Sequence, residues 1–261
     1  MTDLTVIDLP ARRTRPAARF AIRPDTSDAK AIAEVFDKNA YRRQSIGFGP
    51  RPGQAWVDLG ANVGAFAVLA AGLGATVLRA VEAEETNANL SRQNLDLNGL
   101  DVPVCHAAVV PDDHQGDVVA LNVNLEPLSL RRHSILKARR KSVAVNVPAM
   151  RWSEAIAGAD GAKVNIEGAE IPVFALACQQ GAFGDLRQLV FEWSFDVEPR
   201  IPVLAEVVAG LERHFETVGM LRVWVDCGHS ESPERSALLP SPKIRLEPRH
   251  YCTFHCCPPR R

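Results

Sequence analysis

The segment Trp56-Val57-Asp58-Leu59-Gly60-Ala61-Asn62-Val63-Gly64-Ala65-Phe66 constrains the fold more than any other part of the chain. It reads as a short buried strand, a glycine turn, and the first turn of a helix running from Val63 to Gly72. Gly60 and Gly64 stand where the backbone must bend tightly or approach a ligand, and a Cβ would obstruct either. The helix start leaves free N–H groups aimed back at the turn. Downstream, Val77-Leu78-Arg79-Ala80-Val81-Glu82 is a second apolar strand that ends in a carboxylate. A glycine turn between strand and helix, followed by an acid at the end of the next strand, suits a nucleoside: glycines lie under the ligand and the acid takes the ribose hydroxyls.

The same alternation continues along the chain. Asp28 to Tyr41 has helical spacing at Ile32, Val35, Phe36 and Ala40, with capping candidates in Asp25-Thr26-Ser27-Asp28. Glu85 to Asn98 is a helix that stops at Gly99, and Val102 to Ala107 is a third strand. Val118 to Val123 and Val143 to Pro148 alternate as a β pair flanking a basic loop. Ala162 to Ile166 and Gln188 to Trp193 are strands four and five, and Pro202 to Phe215 is a helix. Leu221 to Val225 and His250 to His255 are the last strands. Strands alternating with helices predict an α/β fold, a doubly wound and mostly parallel Rossmann-like sheet. Residues 1–27, with three arginines and two prolines between 10 and 16, read as a mobile arm or irregular cover. Residues 28–261 then form the main domain, with 112–148 as an excursion on the acceptor side.

Two details of the turn separate the ligands such a sheet can hold. Dinucleotide sites favour G-x-G-x-x-G, whose middle glycine admits a pyrophosphate to the helix N-terminus. Here that place is Asn62, and the spacing is G-x-x-x-G. Asp58, just before the turn, would repel an anionic pyrophosphate, whereas a sulfonium-bearing, amino-containing ligand would not be repelled. D-L-G-A-N-V-G-A-F resembles motif I of the class I S-adenosylmethionine (SAM) methyltransferases. A second segment, Lys163-Val164-Asn165-Ile166-Glu167-Gly168-Ala169-Glu170, resembles the K-I-D-x-E-G-x-E segment of the FkbM-type methyltransferases. Gly64-Ala65-Phe66, Val81-Glu82-Ala83, the N-x-x-x-N-G run from Asn94 to Gly99, Cys105-His106-Ala107-Ala108 with Gly116, and Val190-Phe191-Glu192 resemble further motifs of that type in the same order. One residue departs: the family's acid in K-I-D-x-E-G is Asn165 here.

The resemblance implies a seven-stranded sheet with a C-terminal antiparallel strand, at His250 to His255, and SAM as cofactor. It places the cofactor against Asp58, Gly60, Ala61, Asn62, Gly64, Phe66, Glu82, Ala83, His106, Ala107 and Asn165. It also implies O-methylation of a hydroxyl on a small molecule of sugar or natural-product type. Methyl transfer aligns donor and acceptor and often removes a proton from the acceptor. Three residues are candidates for that base. Glu167 and Glu170 flank a glycine at a strand end, although either can instead cap the next helix. His133, in the loop Leu130 to Lys141, has a near-neutral side chain. The six Lys and Arg residues of that loop contact the acceptor if it is anionic, or form a solvated surface. No metal is expected, because the amide of Asn165 brings no charge to attract a cation.

Composition excludes other classes. Net charge is −1 over 261 residues, which gives no global case for nucleic acid or an anionic membrane. No apolar run reaches the roughly eighteen residues of a spanning helix. Met1 to Thr5 carries no positive region leading into an apolar core, so a secretory signal is not expected and the six cysteines read as reduced thiols in a cytoplasm. His250-Tyr251-Cys252-Thr253-Phe254-His255-Cys256-Cys257 lacks a paired C-x-x-C knuckle, and as a strand it puts Cys252, Phe254 and Cys256 on one face. Two other functions remain open: an NAD(P)-dependent oxidoreductase on the same sheet, and a non-catalytic protein binding SAM or RNA.

Overall fold

The computed structural model describes residues 3–43, 47–129, 132–225 and 250–257. In chain order its elements are β1 (Thr5–Leu9), β2 (Ala18–Ile22), α1 (Asp28–Phe36), β3 (Ala55–Leu59), α2 (Ala65–Gly72), β4 (Thr76–Glu82), α3 (Glu85–Leu97), β5 (Val104–His106), β6 (Ala108–Val110), β7 (Val118–Asn124), β8 (Ser142–Arg151), α4 (Trp152–Ile156), β9 (Gly161–Val164), α5 (Glu170–Gln180), β10 (Gln188–Ser194), α6 (Ile201–Leu211), β11 (Thr217–Val225) and β12 (His250–Cys257).

The main sheet has seven strands in the order β11-β12-β10-β9-β3-β4-β5. The run from β10 through β5 is parallel throughout, and β12 lies antiparallel between β10 and β11. This is the doubly wound, mostly parallel Rossmann-like sheet expected from the strand pattern, and its antiparallel strand at His250–Cys257 is the one that the resemblance implied. Period-2 alternation builds both of its faces. Val57 and Leu59 of β3, with Leu189, Phe191 and Trp193 of β10, join a core covered by α4, α5 and α6. Trp56 and Val190 point the other way, into a core with α1 and α2. Helix α2 is buried nearly all round, so its sequence is apolar on every face rather than on one stripe. Gly161 leaves room for the Trp56 ring, since a Cβ there would sit 2.3 Å from it.

The N-terminal segment, expected as an arm or irregular cover, carries regular structure at both of its ends. β1 and β2 form an antiparallel hairpin with Thr5 opposite Ile22, and Phe20 and Ala21 are buried. α3 supplies the hooks. Asn94 accepts the Ala21 N–H at 2.7 Å and donates to the carbonyls of Ala21 and Val63, while Asn98 bonds the backbone of Arg19 in both directions. Each buried amide is thereby satisfied. The sequence could not show this, because the partners of β2 lie on a helix more than seventy residues away.

Several ends move inward from their expected places. α1 stops at Phe36 rather than Tyr41, and α2 starts at Ala65, because Gly64 is left-handed with φ of +80°. α6 stops at Leu211. Beside the main sheet stands a second sheet ordered β6-β8-β7. β7 pairs antiparallel with β8 from Val118 opposite Pro148 to Val123 opposite Val143, and the short β6 pairs parallel with the end of β8. Among the described residues no helix is long and apolar enough to cross a membrane.

Candidate functional site

The parallel strands deliver their carboxyl ends to one edge of the sheet, where a doubly wound fold binds ligands. The turn after β3 is built there by three left-handed residues, Gly60 (φ +77°), Asn62 (φ +51°) and Gly64 (φ +80°). Asn is the side chain that best tolerates that region. The turn is stitched to β4: the N–H groups of Gly60 and Ala61 donate to the Val81 carbonyl at 2.9 and 3.0 Å. A Cβ on Gly60 would fall 1.8 Å from the Asn165 carbonyl oxygen, so the turn packs directly on the loop after β9.

Glu82 closes β4. Its carboxylate accepts the N–H of Asn62 at 2.7 Å and of Glu84 at 2.9 Å. Burial raises its pKa, and those two N–H groups oppose the shift. Glu84 then caps α3 by accepting from the N–H groups of Thr86 and Asn87. The acid at the strand end is thus fixed in orientation before any ligand arrives. Each of its oxygens retains a lone pair for a hydroxyl.

A cleft of ≈ 890 Å³, counting space open to solvent, lies over these strand ends. Of the residues expected from sequence, Gly60, Ala61, Asn62, Phe66, Glu82, Ala83, Ala107, His133, Asn165 and Glu167 line it. Leu121 of β7 and Ile135 after it form part of the wall, so the excursion does reach the cleft. Two buried amide oxygens there, Oδ1 of Asn62 and of Asn165, have no hydrogen-bond partner. An unpaired buried acceptor costs about 1–3 kcal/mol and calls for a donor-bearing ligand.

Four expected site residues do not line the cleft. Gly64 sits behind the turn against Ser91. His106 turns its ring to the Ala83 carbonyl at 3.0 Å. Glu170 is fully buried in the first turn of α5, where its carboxylate accepts the N–H of Gly168, in the loop before the helix, at 3.0 Å. Desolvation pushes its pKa up to about 8. Asp58 is fully buried, accepts the Ala67 N–H at 3.2 Å, and pairs with Lys163 Nζ at 3.0 Å. The pairing overturns the argument that Asp58 repels a pyrophosphate, because its charge is compensated. The discrimination against a dinucleotide therefore rests on Asn62.

The candidate bases also separate. His133 Nδ1 accepts the Asn124 N–H at 3.0 Å, which puts the proton of the neutral ring on Nε2 and makes it a donor. Glu167, left-handed at φ +54°, lies 3.6 Å from Arg139, and its carbonyl accepts from Ser134 Oγ at 2.6 Å. An acceptor-only carboxylate on the cleft wall is better placed to take a proton than a ring already committed as acceptor at Nδ1.

The basic loop is less free than its sequence suggests; its Leu130 and Arg131 lie outside the described residues. Arg139 pairs with Asp196 at 2.6 Å as well as with Glu167, Lys137 approaches Asp196 at 3.5 Å, and Lys141 pairs with Glu126 at 2.6 Å. Arg139 is thereby tied into the fold, while the Lys141–Glu126 pair is exposed to solvent. Among the described residues no group of three or more His, Cys, Asp or Glu side chains is placed to hold a metal.

Tyr41 and Lys163 are among the residues of the wall that were not expected as site residues from the sequence. Tyr41 follows α1, accepts from Asn165 Nδ2 at 3.2 Å and stacks edge-on to Phe66; no local pattern marks it. Lys163 is 4% exposed in the middle of an apolar strand, and a charge in such a run was the available signal.

No protein-family model matches the sequence, and no curated protein does. Solved structures are similar in chain path. They include precorrin-6y C5,15-methyltransferase from Geobacter metallireducens GS-15, with 11% identity over 80% of this chain and 82% of that one and a TM-score of 0.40. Ribosomal protein L11 methylase from Lactobacillus delbrueckii subsp. bulgaricus shows 13% identity over 82% and 74%, with a TM-score of 0.37. M. jannaschii TYW2, solved in complex with AdoMet, shows 11% identity over 95% and 86%, with a TM-score of 0.42.

Proposed function

We propose that this protein is a SAM-dependent methyltransferase of FkbM type that methylates a hydroxyl on a small molecule in the cytoplasm. The observation that carries the reading is the fixed Glu82 carboxylate at the end of β4, facing the cleft beside a left-handed glycine turn. A carboxylate so placed accepts both hydroxyls of a ribose, and the unpaired oxygens of Asn62 and Asn165 accept N–H or O–H groups.

The cofactor supplies the electrophilic methyl group. The chain's own residues orient and exclude water: the turn holds one end of the nucleoside, Glu82 the ribose, and Ala107 and Leu121 offer an apolar wall. Glu167 takes the acceptor proton as the oxygen becomes a nucleophile. Metal independence is part of the reading, since the Asn165 amide adds no charge at the place where an acid would attract a cation.

Calorimetric titration with SAM, S-adenosylhomocysteine and NAD(H) tests the cofactor. Binding of NAD(H) without either sulfur nucleoside would replace this reading with an oxidoreductase. Transfer of label from methyl-tritiated SAM to a panel of hydroxylated sugars and glycosylated metabolites tests the acceptor class. Label on a nitrogen rather than an oxygen would overturn O-methylation.

A further inference from the structure

Six of the eight large apolar side chains that stand exposed among the described residues, Val118, Leu125, Leu128, Leu136, Val143 and Val145, belong to the excursion between β6 and α4. A concentration of that kind marks an interaction surface rather than scatter. Within the excursion, β8 has an open edge. Ser142–Pro148 pairs with β7 on one side, and β6 joins the other side only at Ala149–Arg151. Among the described residues no strand covers the remaining edge from Ser142 to Asn146, and Val143 to Asn146 are all exposed. The far edge of β7 is treated differently. A bridge between Asn122 and Ser134 closes it, through N–H to carbonyl bonds of 2.9 and 3.2 Å.

An open edge presents backbone N–H and C=O groups to solvent, and soluble proteins blunt such edges with charge, proline or a bulge. Ser142-Val143-Ala144-Val145-Asn146 has none of the three: it is uncharged, it lacks proline, and its register with β7 runs without a shift. The segment is also complementary to itself. We propose that β8 pairs with β8 of a second copy of this chain, antiparallel about a two-fold axis at Ala144, joining the two excursions into one sheet across a dimer. In that register Ala144 stands opposite its own copy, Val143 opposite Val145, and Ser142 opposite Asn146. Opposed residues point to the same face. Valine therefore meets valine on the face shared with Leu121 and Val123, and polar meets polar on the other. The charge nearest to the segment's start is Lys141, which pairs with Glu126 at 2.6 Å; its two copies stand about 20 Å apart along the strands. A two-fold contact is closed, so the pairing stops at a dimer instead of running on into a fibre. Such a dimer is independent of what the cleft binds.

Sedimentation velocity of the whole chain at micromolar concentration should give a particle of twice the mass of one chain. Ala144→Lys sets two like charges directly opposite each other and should raise the dimer's dissociation constant at least about tenfold, with an unchanged circular dichroism spectrum reporting an intact fold. Val118→Lys, at an exposed position on β7 away from the open edge, should leave the dimer as it is. Ala144→Cys tests the register. Opposed Cα atoms of an antiparallel pair lie about 4.5–5.5 Å apart, within reach of a disulfide, so diamide should link this variant into a covalent dimer much faster than it links the wild type. Should Ala144→Lys lose its fold, the cross-linking rate of Ala144→Cys decides. A monomeric wild type overturns the proposal and leaves the edge to another protein. So does an Ala144→Lys protein that dimerises as tightly as the wild type, a Val118→Lys protein that dissociates as far as Ala144→Lys, or an Ala144→Cys protein that cross-links no faster than the wild type.

Discussion

Replacing Glu170 by Gln should make the protein more stable at alkaline pH. Glu170 is fully buried, and desolvation lifts its pKa from 4.5 to about 8. Its folded pKa is therefore raised above its unfolded value. Such a group contributes stability that is fully present below pH 4.5 and lost as pH rises toward 8, because the unfolded chain ionises first while the folded chain holds its proton. Each pH unit in that window costs about 1.4 kcal/mol, so the whole window costs on the order of 5 kcal/mol. Gln reproduces the neutral acid's donor and acceptor without titrating, and its carbonyl can keep the bond from the Gly168 N–H at 3.0 Å. The difference between variant and wild type should be flat below pH 4.5, should rise steadily to about pH 8, and should then level off. For a chain of this size each kcal/mol shifts the melting point by about 2–4 °C. Melting curves of both proteins at half-unit steps from pH 4 to 9 measure it, and subtracting one from the other removes every other titrating group. A difference that stays constant across that range would refute the argument that Glu170 is held protonated by burial. The same variant should keep methyl-transfer activity, since Glu170 lies off the cleft.

Glu82→Ala removes the ribose contact and leaves the N–H groups of Asn62 and Glu84 without their acceptor; calorimetry should show S-adenosylhomocysteine affinity lowered by at least about tenfold, and unchanged affinity would remove Glu82 from the site. Glu167→Gln should cut turnover by about 10²–10⁴-fold with cofactor affinity little changed, while His133→Ala, whose ring acts as a donor, should cost less; the reverse order in single-turnover rates would make His133 the base. Asn94→Ala breaks three buried bonds that dock the N-terminal hairpin and the turn. Limited proteolysis should then cut within residues 10–17 faster than in the wild type, and equal rates would show the hairpin held by apolar packing alone.

The contrast between these residues shows what each level of organisation decides. Sequence alone determined the doubly wound sheet, the glycine turn at Gly60 and the acid at Glu82. Those features are local, and their signals are period-2 apolar runs, turn glycines and a strand-end carboxylate, all read from consecutive residues. The last strand was also legible in the alternation from His250 to His255, whereas its antiparallel direction came from the family resemblance and not from the alternation. Tertiary structure decided everything that depends on a partner far away in sequence. The hairpin of the N-terminal segment meets its partners, Asn94 and Asn98, on a helix more than seventy residues away. Asp58 changed from a repelling charge to a compensated one because Lys163, on the neighbouring strand, reaches it at 3.0 Å. In the basic loop, Lys137, Arg139 and Lys141 pair with Asp196, Glu167 and Glu126. Glu170 left the site because the first turn of α5 points it inward, a direction that a strand-end glycine does not specify. The physical reason is common to all four: a side chain's charge state and orientation are set by the groups within a few ångströms of it, and those groups come together only when the chain has folded.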